Sequence, residues 1–218
     1  MGLLVVAIDG PSGAGKSSTS RGVASRLGLR YLDTGAMYRA LTWACRTRGV
    51  DVHDQQAVAA AVADVRLESG TDPLNPTIRV DDVDVSGPIR EQDVTDHVSA
   101  VASVPQVRAQ LVERQREIIG EGGIVVEGRD IGSTVWPDAD VKVYLLADPA
   151  ARATRRAAEQ GGAVPVAATE ADLARRDAIE SGRTASPLAK APDAVVVDST
   201  YLSLEEVIDS IVAMAVGS

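Results

Sequence analysis

The stretch that most limits what this chain can fold into is residues 3 to 17, "LLVVAIDGPSGAGKS". Leu3 to Ile8 is an apolar run of strand length, of the kind that belongs inside a parallel sheet. It passes directly into Gly10, Pro11, Ser12, Gly13, Ala14 and Gly15, and then into Lys16, Ser17 and Ser18 at the head of a segment to Leu27 that reads as a helix. The segment matches G-x-x-x-x-G-K-[ST] in full. Strand, glycine loop and helix N-terminus in that order aim backbone N–H groups and the positive end of a helix dipole at one point, which suits a polyphosphate. In such a loop, residues 10 to 18 cradle a nucleoside triphosphate, Lys16 bridges its outer phosphates and Ser17 can ligate Mg²⁺. A plain turn would leave Lys16 with no anion to face. Asp9, just before the loop, could assist the ion through water or cap the turn.

The rest of the chain repeats the alternation of strand and helix. Tyr31-Leu32 reads as a short extended piece, Ala36 to Arg48 as an amphipathic helix ended by Gly49, and Gln55 to Ala63 as another helix. Further on, "GGIVVEG", "VKVYLLAD" and "DAVVVDST" are short apolar runs separated by helical sequence rich in alanine and arginine. The expected fold is α/β, a parallel five-stranded sheet flanked by helices, in a single domain covering 1–218. Residues 64–100 depart from the pattern. "VRLESG", "TIRVDD" and "VDVSGPI" alternate apolar with polar between turn residues, which predicts a small antiparallel insert, wet on one face. Residues 150–190, rich in arginine and poor in large apolar side chains, read as a helical lid over a cleft.

Composition narrows the partners. Acidic residues number 31 against 22 basic, a net charge of −9, so no broad basic surface for nucleic acid is expected. Phe is absent, with two Trp and four Tyr, which leaves little to stack successive bases. Trp43 and Trp136 read as packing residues, and His53 and His97 carry no catalytic partner pattern. The single Cys45 excludes an intrachain disulfide and fits a reducing compartment, and the opening apolar run lacks the features of a leader or membrane span. A cytoplasmic monomer is the expectation.

Two classes of protein use such a loop, an enzyme that transfers a phosphoryl group to a small acceptor and a nucleotide switch. A guanine-reading switch carries an N-K-x-D motif, whereas Asn75, the one asparagine here, is followed by Pro76; "DVSG" at 84–87 is too short a match to restore that reading. An acceptor kinase needs cations away from the loop to hold a second anion in line. Candidates are Arg39 in "LDTGAMYRAL", Arg108 in "PQVR", and Arg129 with Asp130 in "VEGRDIG", just beyond a strand end, where open α/β sheets bind ligands. Arg176, Glu180 and Arg183 are spaced to share one helix face. Arg152, Arg155 and Arg175 are either surface charges or contacts to the donor.

In order, "IDGPSGAGKS", "YLDTGAMYR", "VSGPIR", "PQVRAQLVERQR", "VVEGRDIG", "WPDADVKVYL" and "SPLAKAPDAVVVDST" resemble the bacterial cytidylate kinases over nearly the whole chain. The ordered set separates that family from adenylate, thymidylate and shikimate kinases, which share the loop. The resemblance implies ATP-dependent phosphorylation of CMP and dCMP with Mg²⁺. It implies further that Arg39 and Arg129 hold the CMP phosphate, that Thr34, Arg108, Asp130 and Arg183 surround the base, that Ser99, Arg176 and Glu180 reach the sugar, and that Tyr38 also contacts the substrate. Lys16, Arg39, Arg129 and Arg176 would act on the transferring group. Thr34 stands where the family commonly has serine, and Glu180 where it has aspartate. The residue chemistry agrees: cytosine offers an amino donor beside a ring-nitrogen acceptor, which a carboxylate and a guanidinium complement, while uracil would set an oxygen against Asp130.

Overall fold

Alternation along β1 (Val5–Asp9) sends Val5 and Ala7 to one face of a sheet and Val6 and Ile8 to the other, and all are buried. The computed structural model describes residues 3–159, 165–181 and 190–217. Its main sheet combines β1 with β2 (Arg30–Asp33), β6 (Ile124–Gly128), β7 (Val141–Leu146) and β8 (Val195–Asp198) in the order β2-β6-β1-β7-β8. Every pairing in it is parallel. One face is covered by α1 (Lys16–Leu27) and α8 (Leu204–Val216), whose Val23, Ala24, Val207, Ile208 and Ile211 pack on Val6, Ile8 and Val143. The other carries α2 (Thr34–Thr47), α3 (Gln55–Val62) and α5 (Pro105–Ile119), with Met37, Leu41, Val58 and Leu111 packed in one cluster with Val5 and Val126. Cys45, Trp43 and Trp136 belong to that cluster as packing residues. β7 leads through α6 (Pro149–Glu159) to α7 (Val166–Ser181).

The departure from the βα pattern after residue 64 is a three-stranded antiparallel sheet, β3 (Leu67–Ser69), β4 (Ile78–Val80) and β5 (Val83–Asp84). Leu67, Ile78 and Val80 face the core while Glu68 and Arg79 face water, as the alternation predicts. The two residues between β4 and β5, Asp81 and Asp82, have φ of 48° and 69°, the backbone of a two-residue hairpin turn. The sheet is shorter than expected. Past a single 3₁₀ turn at Pro88–Arg90, residues 92–101 form α4 (Gln92–Val101). Val94, Val98 and Val101, spaced i, i+4, i+7, are buried along one stripe of it, a helical period that the neighbouring strand-like segments mask in the sequence.

β1 also begins two residues later than the apolar run. Leu3 is 61% exposed, and Asp9 joins the ladder in its place opposite Gly128 and Tyr144. Among the described residues, no helix is long and apolar enough to cross a membrane.

Candidate active site

The loop between β1 and α1 folds tightly because its glycines permit it. A Cβ on Gly10 would lie 2.1 Å from the Leu145 carbonyl oxygen of the adjacent strand, at a φ of +149°. Gly15, at φ 89°, is the residue from which α1 starts. The helix begins at Lys16, so its free N–H groups open onto the loop. Lys16 Nζ folds back to donate to the Pro11 carbonyl at 2.8 Å.

The loop forms one wall of a cleft of about 690 Å³. Ser12, Gly13, Gly15, Lys16, Ser17 and Ser18 of the loop line it, while Gly10, Pro11 and Ala14 are buried and outside its lining. Thr34, Tyr38, Arg39, Ser99, Arg108, Arg129 and Asp130 line the same cleft from α2, α4, α5 and the segment after β6. Arg176 and Glu180 are positions on α7; their side chains, and the whole of Arg183, lie outside the described residues.

Across the cleft from the loop the charged groups are held by pairing with one another and with backbone. Arg108 and Asp130, 7% and 6% exposed, pair at 2.5 Å, and the Arg108 guanidinium lies 5.8 Å from the centroid of the Tyr38 ring. Arg39 pairs at 2.9 Å with Asp33, which also caps α2 by accepting from the Ala36 N–H. Arg129 Nη1 donates to the Gly10 carbonyl, bringing a cation to the base of the loop. The Thr34 hydroxyl donates to the Glu127 carbonyl at 2.7 Å.

Asp9 does not cap the loop turn that follows it but binds a turn more than a hundred residues away. Its carboxylate accepts from the backbone N–H groups of Ile131 and Gly132 at 2.9 and 2.8 Å, which ties the end of β1 to the turn that presents Arg129 and Asp130. Burial pushes its pKa up to about 6 in spite of those two hydrogen bonds. The following turn, Ile131–Val135, is π-type, and Arg116 caps it by donating to the carbonyls of Thr134 and Val135 at 2.9 Å.

The sequence reading missed Glu127. It is the penultimate residue of β6, is 3% exposed, and accepts from the Tyr31 hydroxyl on one oxygen and from Ser17 Oγ on the other, at 3.1 Å. A carboxylate inside the apolar run "IVVEG" was the available signal, because a buried charge needs a partner. Burial first, then the charge of Asp33, pushes its pKa up to about 7, and Lys16 opposes the shift. With the unfolded value at 4.5, this group contributes most stability below about pH 4.5, and that contribution is lost as pH rises through about 7. Glu127→Gln, an isostere of the protonated acid, is therefore expected to match wild type at pH 5. Without nucleotide at pH 8, it should exceed wild type by on the order of 2 kcal/mol in urea unfolding. Parallel pH profiles for the two proteins would refute this assignment.

A hydroxyl at the head of α1 and the β6 carboxylate beside it are the hard oxygen donors that Mg²⁺ takes when it keeps water and phosphate for its remaining positions, so Ser17 with Glu127 fits that ion. Among the described residues, no cluster of three or more His, Cys, Asp or Glu could hold a metal.

The other arginines divide. Arg175 pairs with Asp172 on the surface at 2.5 Å. Arg155 donates to the Ser199 hydroxyl and carbonyl at 3.0 and 2.6 Å. Arg152, 7% exposed, reaches the Ser12 carbonyl of the loop at 3.1 Å. His97 makes a local contact within α4, to the Asp93 carbonyl at 2.7 Å.

A parallel sheet whose first strand feeds a phosphate-cradling loop, facing a cluster of arginines across one cleft, defines a P-loop kinase of the small-acceptor type. The fold has matching relatives among solved structures: a gluconokinase from Sinorhizobium meliloti 1021 superposes with a TM-score of 0.53 at 15% identity, covering 98% of this chain and 92% of that one. The cytidylate kinase family model matches residues 6–216. The chain is 57% identical over 216 residues to the cytidylate kinase of Streptomyces griseus, covering 98% of this chain and 93% of that protein. It is 59% identical over 213 residues to that of Streptomyces coelicolor, covering 97% and 92%. The chain belongs to the cytidylate kinase family, and it is a phosphotransferase.

Proposed function

We propose that the two walls of the cleft divide the work of an ATP-dependent kinase of CMP and dCMP, the loop holding the donor and the arginine cluster the acceptor. The reaction is that of the family: an oxygen of the acceptor's 5′-phosphate attacks the terminal phosphorus of ATP. The bond from that phosphorus to the bridging oxygen breaks, and ADP leaves beside CDP or dCDP. The observation that carries this reading is that both sets of residues line one cleft.

On this reading, backbone N–H groups of residues 12 to 18 and the Lys16 ammonium hold the donor phosphates, with Gly10 and Pro11 shaping the entry to the loop. Arg39 and Arg129 hold the acceptor phosphate close to them, and Arg176 adds charge to the transferring group. The acceptor's phosphate is already an anion, so positioning and charge neutralisation suffice without a general base. Ser17, with Glu127 beside it, would hold Mg²⁺, which neutralises charge on the donor phosphates. Asp130 accepts from the cytosine amino group and Arg108 donates to the ring acceptors, with Thr34, Tyr38 and Arg183 around the base. Ser99 and Glu180 face the sugar, where the longer arm of Glu180 bears on the choice between CMP and dCMP. In this assignment residues 64–100 form the acceptor-binding insert and residues 150–190 the lid. Because one chain supplies both walls, the active unit is a monomer, and a reduced Cys45 and nucleotide substrates fit the cytoplasm.

The test is to incubate the protein with ATP and Mg²⁺ and follow ADP in the presence of CMP, dCMP, UMP, dTMP or AMP in turn. CMP and dCMP should stimulate ADP formation well beyond the others. If no acceptor raises it above the ATP-only control, the reading fails.

A further inference from the structure

The mechanism proposed above makes no use of Asp177. It lies on α7, next to position 176 and three residues before position 180, and its side chain is 22% exposed. Its Oδ2 meets Arg152 Nη1 of α6 at 2.6 Å, and the same nitrogen reaches the carbonyl of Ser12 in the donor loop. α6 sits hard against that loop: a Cβ on Gly13 would lie 3.2 Å from Arg152 Cβ and from the Arg152 carbonyl oxygen. One buried guanidinium group is thus shared between the donor loop and α7.

The geometry is not one that pairing strength alone would select. An arginine and a carboxylate pair most strongly as a fork, with two parallel hydrogen bonds. Here one nitrogen makes both contacts, and Arg152 Nε and Asp177 Oδ1 are buried without a hydrogen-bond partner among the described residues. Unsatisfied buried polar atoms are costly. What this arrangement achieves is placement, since it ties the rotation and height of α7 to the loop.

We propose that Asp177 is a positioning residue for phosphoryl transfer: through Arg152 it sets α7 against the donor loop, so that the helix face shared by positions 176 and 180 is registered with the bound donor. The inference rests on the assignment of Arg176 and Glu180 to the acceptor. A misplacement of about 1 Å between reacting groups can cost on the order of 100-fold in rate, so a clasp remote from the chemistry can matter.

The test compares Asp177→Ala, Asp177→Asn and Asp177→Glu with Asp172→Ala, which breaks an ion pair on the outer side of the same helix. Steady-state kinetics with CMP are corrected for folded fraction by circular dichroism. Asp177→Ala is expected to raise KM for CMP about tenfold and to lower kcat about tenfold, with Asp177→Glu recovering most of both and Asp172→Ala within about twofold of wild type. If Asp177→Ala does not fold, Asp177→Asn against Asp177→Glu carries the comparison, the raised KM appearing in Asn alone. The inference is overturned if KM and kcat stay within about twofold of wild type, or if kcat falls only with the folded fraction at constant KM. Wild-type protein that does not turn over CMP refutes the functional reading, and this inference with it; wild-type turnover with indifferent variants overturns this inference alone.

Discussion

Lys16→Ala is expected to lower kcat/KM for CMP by about 10³-fold while the melting temperature stays within about 3 °C of wild type. The side chain is half-buried, and its hydrogen bond to the Pro11 carbonyl is one that water can replace in the open cleft. Two buried carboxyls, Asp9 and Glu127, feel its charge, and both already have pKa values pushed up by burial. Losing Lys16 moves them further in the same direction, and near neutral pH each can answer by holding a proton, so the fold absorbs the change. On the proposed assignment the donor phosphates have no such remedy, since the charge developing on their outer oxygens loses the ammonium assigned to it. Kinetics alongside a thermal melt check both halves. Activity within about tenfold of wild type, or a melting temperature that collapses with the activity, would contradict the assigned role.

The second large effect is on the choice of base. Asp130→Asn is expected to reduce the ratio of kcat/KM for CMP to that for UMP by about 100-fold, because the amide can donate to the uracil oxygen that the carboxylate repels. Asp130→Ala should erode the ratio as well and also destabilise the protein by about 3 kcal/mol, since it leaves the buried Arg108 guanidinium unpaired. The asparagine variant retains an acceptor for Arg108 and should be the more stable of the two. Relative kcat/KM measured with both acceptors decides the point, and an unchanged ratio in either variant would remove Asp130 from base recognition.

Legibility in the sequence followed the range of the interaction. α1 runs from Lys16 to Leu27 as read, because Gly15 and Gly28, which flank it in the left-handed conformation, are local signals. The five parallel strands were legible from apolar runs punctuated by Gly and Asp. α4 was not, since ten residues with three valines after a run of short strands do not announce a change of period. The acceptor residues were named through motifs that resemble a family, and the motifs do not state what each residue touches. The pairing of Arg108 with Asp130, 22 positions away, and that of Ser17 with Glu127, 110 positions away, are absent from any local pattern.

By itself the sequence determined the loop proposed for the donor, because a phosphate cradle is built from consecutive residues whose glycines, lysine and serine carry their own geometry. The half of the cleft proposed for the acceptor was decided by tertiary structure. Strand order inserts β6 between β1 and β2, so Glu127 and Arg129 emerge beside both the loop and Asp33. α2, α4 and α5 then bring Arg39, Ser99 and Arg108 to the same cleft. That arrangement follows from how separate apolar faces bury one another, and no single segment of the chain encodes it.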